Sequence, residues 1–96
     1  MPDPYAKSPV FDELTLPDAL RKDHRTKAGT WGLLRVLAGE VRLMFIEPPS
    51  DHHVTPAHPA IIPPQATHRV VPLGPMTMHI EFYRERPIPA ESTTDG

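Results

Sequence analysis

Four side chains combine metal-ligating chemistry with strand-like spacing. His24 follows an early extended stretch, His68 closes the segment PPQATH, and His79 and Glu81 stand two apart in MTMHIEFYR. Two residues apart in a strand means facing the same way. Neutral imidazole with carboxylate is a ligand set for zinc, iron, nickel or manganese, and two histidines with one carboxylate form a recurrent non-haem iron pattern. Such ligands must come from rigid neighbouring strands that point into one cavity. Against this stands the commoner fate of a strand histidine, a polar surface position or a hydrogen-bonded core position, and spacing leaves both readings open.

The remaining polar residues point less sharply. His52, His53 and His58 cluster in SDHHVTPAHPA, where Ser, Asp and Pro mark a loop or an exposed edge strand. Arg25 and Lys27 beside His24, and Arg69 beside His68, would either place positive charge at a cavity mouth or pair as solvated cations with Asp23, Glu40 or Glu85. Trp31 reads as a core or cavity-wall aromatic, and Tyr83 as either wall or proton donor. There is no Gly-rich phosphate loop, no Cys-x-x-Cys, no nucleophile elbow and no helical His-Glu-x-x-His.

The elements that must position these residues are strands. Prolines, 14 in 96 residues, punctuate the region from Pro48 to Pro75 too often for a long helix. Period-two alternation predicts an early strand carrying Leu20, Lys22, His24 and Thr26 on one face, then strands from Trp31 to Ala38, Val41 to Ile46, Ala60 to Ile62, His68 to Val71, and through MTMHIEFYR. Gly39 in LAGEV supplies a positive φ for a tight hairpin turn. A helix at DALRKDHRTKAG is the alternative to the early strand, with too few apolar residues for a packing stripe. The expectation is an all-β, single-domain sandwich or barrel. Residues 1–10 form an extended mobile arm, 11–86 the domain and 87–96 a polar tail.

Composition excludes some classes. The 10 basic and 12 acidic side chains, net charge −2, are mixed along the chain, which disfavours nucleic acid as a partner, and no apolar run approaches a membrane span. The absence of cysteine and of an apolar leader reads as cytoplasmic. Exposed edge strands in so small a domain are commonly hidden by pairing, so a homodimer is expected.

The blocks LPDALRKDHRTKAGTWGLLRVLAGEVRLMF, IIPPQATHRVVPL and MHIEFYRE resemble, in that order, the small cupins of the TehB/YeaR-like, tellurite-resistance-protein-like group. The resemblance spans about Leu16 to Glu85 and implies a cupin-type jelly roll. Pro63 to His68 is similar to the second cupin motif, with Gln65 in place of its glycine, and His24 to the first motif's histidine. The glutamate of that first motif is missing, and Gly32 lies near where it would fall. Carried over residue by residue, the resemblance implies a divalent transition metal (zinc, iron, nickel or manganese) on His24, His68 and Glu81, with His79 as a fourth ligand or a support to the others. It further implies a small metal-binding cupin that binds or acts on a small polar or anionic molecule in stress or tellurite-type detoxification, with His79 or Tyr83 as proton donor. No organic cofactor site is expected. Two non-enzymatic readings stand beside it, a metal or ligand sensor and a partner-binding β domain with a filled core.

Overall fold

Wherever apolar residues recur at every second position, the chain is extended. A computed structural model describes residues 3–88. In chain order the elements are β1 (Ala6–Lys7), β2 (Phe11–Asp12), α1 (Asp18–Arg21), β3 (His24–Arg25), β4 (Trp31–Ala38), β5 (Val41–Ile46), β6 (Pro49–Val54), β7 (Ala60–Ile62), β8 (Thr67–Pro72) and β9 (Thr77–Tyr83). The protein is all-β, with one helical turn.

The strands form two sheets of antiparallel pairs. One runs β1-β9-β4-β7, with β2 also on β9, and the other β3-β8-β5-β6. Inward stripes from both sheets meet in a single core. Leu34 and Val36 of β4 and Met78 and Ile80 of β9 lie with Val41 and Leu43 of β5, Val70 of β8, Val54 and Ile62. Of the sandwich or barrel expected above, the all-β class is what the pairing gives. Among the described residues the sheets keep separate edges, and no closed barrel forms.

Three local expectations are also revised. Leu20 and Lys22 are not in a strand: α1 occupies residues 18–21 and ends where Lys22 turns extended, held by Arg21, which donates to the carbonyls of Leu16 and Glu13. Only His24 and Arg25 of the early strand remain, as β3. The N-terminal segment is tied down, because β1 and β2 pair with β9. Most of the polar tail lies outside the described residues.

Gly39 has the expected positive φ, 79°, but it joins β4 of one sheet to β5 of the other instead of closing a hairpin. A β-carbon there would collide with the Pro75 carbonyl oxygen and approach Met76 Cα to 2.9 Å. Gly39→Ala therefore combines left-handed strain with a backbone clash and is expected to destabilise the fold by well over ~1 kcal/mol, read as a lower urea midpoint. An unchanged midpoint would mean that the crossover relaxes freely.

Candidate functional site

Between the sheets, beyond the packed core, lies a cavity of about 520 Å³. Its floor is apolar: Ile80 and Phe82 of β9 and Ile62 of β7, with Gly32 between them, joined by Phe11 and Leu20. A β-carbon on Gly32 would meet Ile62 and Ile80 at 3.4–3.6 Å, ordinary van der Waals contact, so the position tolerates a side chain. The N-terminal segment walls one side. Tyr5 and Ser8 donate backbone N–H to the Phe82 and Ile80 carbonyls, both at 2.8 Å, and the Tyr5 hydroxyl shares a 3.0 Å hydrogen bond with Thr30.

The opposite wall carries His24 and His68, which are register partners across β3 and β8. Their rings meet edge to face with centroids 5.6 Å apart. His68 lies on the same inward stripe as Val70 and is 2% exposed. Its Nδ1 donates to the Ala66 carbonyl at 2.8 Å, so Nε2 is the ring's acceptor. Burial lowers its pKa, the Ala66 bond acts in the other direction, and His24 lowers it further.

The mouth is cationic. Arg25 and Lys27 line it with the buried Thr26 and Thr30, while no Asp or Glu occurs among the described lining residues. Arg25 donates to the Gln65 carbonyl at 3.2 Å, and the Thr26 carbonyl accepts from Gln65 N–H at 2.9 Å. These bonds fix the loop before β4 against the turn before β8. Gln65, the residue in the glycine position, takes φ 60° there. Arg69 does not contribute, since it pairs with Asp23 at 3.0 Å.

His79 and Glu81 lie elsewhere. They alternate with Ile80 and Phe82 along β9 and so occupy the other face of that sheet. Glu81 is 8% exposed and accepts from Tyr83 Oη at 2.7 Å, Arg35 Nε at 3.2 Å and His79 Nε2 at 3.2 Å. Burial raises its pKa, but the hydrogen bonds from Tyr83, His79 and Arg35 outweigh that, and the net shift is downward. Tyr83 is pushed up to about 12, first by burial and then by its bond to Glu81, so it holds its proton firmly.

The metal set expected from the resemblance is thus divided: His24 and His68 share the cavity, while Glu81 and His79 share a hydrogen-bond network on the far side of β9. Among the described residues, no group of three or more His, Cys, Asp or Glu could hold a metal ion. His52 and His53 lie on edge strand β6, with His53 bonded to Glu40. Tyr5, Ser8 and Thr30 were not legible as site residues. The one relevant signal was the extended backbone that Pro4 and Pro9 impose.

A two-sheet β domain with a polar-walled apolar cavity between the sheets is the class that this geometry defines. The chain belongs to the TehB-like domain family, whose model matches residues 6–80. Two Haemophilus influenzae proteins, from strain 10810 and strain Rd, are both named "Probable S-adenosyl-L-methionine-dependent methyltransferase TehB". Each is 38% identical over 75 residues, covering 73% of this chain and 26% of the relative. The crystal structure of TehB from Haemophilus influenzae matches with a TM-score of 0.76 at 34% identity, over 84% of this chain and 30% of that one. A protein of E. coli strain K12 shares the fold alone, with a TM-score of 0.79 at 18% identity, over 91% and 93%. The chain spans about a quarter of the length of the curated relatives it matches.

These relatives overturn the expectation of a small metal-binding cupin with a transition-metal cofactor. Their name points to methyl transfer with S-adenosyl-L-methionine instead. Membership of the TehB family stands, whereas nothing supports the wider cupin assignment. No helix among the described residues is long and apolar enough to cross a membrane.

Two measurements test the site as described. The unfolded chain protonates His68 at the ordinary pH and the folded chain resists, so stability falls as pH drops below the usual value of 6.5. Melting temperature is expected to decline between about pH 7 and about pH 5, with a smaller decline in His68→Gln. Tyr83→Phe removes one donor from a buried carboxylate and is expected to lower unfolding free energy by about 1.5–3 kcal/mol. No loss in urea titration would show that Arg35 and His79 satisfy Glu81 without it.

Proposed function

We propose that this chain serves S-adenosyl-L-methionine-dependent methyl transfer, and that its β domain holds the methyl acceptor rather than the methyl donor. The observation that carries the second half is the charge of the cavity. S-adenosyl-L-methionine carries a sulfonium and an ammonium against a single carboxylate, which leaves it a net cation, and its ribose diol ordinarily donates to a carboxylate. Arg25, Lys27, His24 and His68 offer it no carboxylate. Nor do the described residues contain the strand, Gly-rich turn and long helix on which such cofactors are held, since α1 is four residues long. The cavity does not fit the donor.

An acceptor is a better match. A concave, mostly apolar space with a few fixed polar groups is the usual form of a small-molecule site, and its volume lies in the range of about 300–1,000 Å³ typical of such sites. The functions named for the relatives supply the reaction class, and the cavity supplies the place where a substrate is selected.

The test is calorimetric titration of the chain with S-adenosyl-L-methionine and S-adenosyl-L-homocysteine. Neither is expected to bind at micromolar concentration. Micromolar binding of either that disappears in Gly32→Leu would place the donor in this cavity and end the acceptor reading.

A further inference from the structure

We infer that the ligand of this cavity is an organic monoanion with an apolar body, a carboxylate for preference, seated with its chain on the floor and its charged end at the mouth. The inference rests on the acceptor reading above and specifies its substrate class. Three features carry it. The floor, Ile62, Ile80 and Phe82, has no polar side chain, and Gly32 among them adds none. Arg25 and Lys27 stand at the mouth, and neither forms an ion pair among the described residues, whereas Arg69, just outside, is paired with Asp23. Thr26 and Thr30, each 8% exposed, line the cavity beside those cations, with their hydroxyls bonded to the Ala66 carbonyl and the Tyr5 hydroxyl.

Each alternative class leaves part of this unused. A neutral apolar ligand gains nothing from Arg25 and Lys27. An inorganic oxyanion fills a small part of 520 Å³ and leaves the floor facing water. A cation meets two positive groups, Arg25 and Lys27, both exposed and with no Asp or Glu among the described lining residues. Only a ligand with both an anionic end and an apolar body uses floor and mouth together. Arginine can hold a carboxylate bidentately while lysine adds a point charge.

The experiment titrates the whole chain with butanoate, hexanoate and octanoate, with 1-hexanol and inorganic phosphate as controls. Affinity is expected to rise about fourfold per added methylene, the factor that burying one CH₂ carries at room temperature. Hexanol and phosphate are each expected to bind at least about tenfold more weakly than hexanoate. Arg25→Gln with Lys27→Gln is expected to erase the preference for carboxylate over alcohol, and Gly32→Leu to abolish binding by occupying the floor, with its folded state checked by thermal melting. Hexanol binding as tightly as hexanoate, phosphate matching octanoate, or no carboxylate binding to a folded chain would each overturn the inference. Binding of hexanol alone that Gly32→Leu removes would overturn it while leaving the acceptor reading intact. Competition by S-adenosyl-L-methionine would instead strike at that reading.

Discussion

Strand β9 is the constraint on which the rest depends. It is paired on both sides, with β4 along one edge and with β1 and β2 along the other, so its register cannot slip without moving every neighbour. Period two then divides its residues absolutely. Met78, Ile80 and Phe82 face the space between the sheets, and His79, Glu81 and Tyr83 face away. A shift of one residue would bring a carboxylate into the cavity and drive Ile80 into the Arg35 network. Both faces oppose that shift, because both are buried: Leu33, the register partner of Glu81, is 1% exposed on the outer side.

Much of the fold was legible because the same period recurs in β4, β5, β8 and β9, whose bounds fall within a residue or so of the alternating segments. What alternation cannot say is which strands share a sheet. β4 and β5 follow one another through a glycine turn that reads locally as a hairpin, yet they lie in opposite sheets. Local sequence specifies the sign of φ at Gly39, and tertiary pairing decides where the chain goes next. The early strand was misread for a related reason. Leu20, Lys22, His24 and Thr26 alternate by composition, but Pro17 and Asp18 start a helical turn that Arg21 stabilises from within, and the alternation has no partner strand to support it until His24 meets His68.

The site was half legible. Pairing of His24 with His68 is a long-range register fact, and the expectation that these two share a cavity agrees with it. The expectation that Glu81 joins them combined a correct local inference, that His79 and Glu81 face the same way, with an assumption about which way that is. The inward direction came from the resemblance, which carried Glu81 over as a ligand beside His24 and His68. Here the outer face supplies three donors, and they satisfy the charge locally. Sequence shows Arg35 and Tyr83 as separate polar residues, and only the β4–β9 register brings the guanidinium of one strand beside the carboxylate of the next.

This partition also decides which charges line the cavity. The chain as a whole carries −2, which taken alone suggests no affinity for anions. Yet its buried carboxylate is consumed on one side of β9, with Arg35, His79 and Tyr83 around it, while Asp23 is drawn off to Arg69 and Glu40 to His53. The cations left at the mouth, Arg25 and Lys27, face a cavity whose lining offers them no counter-charge. Net charge describes the far field. What a ligand meets is decided by where each carboxylate falls, and here Glu81 lies on the far face of β9 while Asp23 and Glu40 are paired outside the lining.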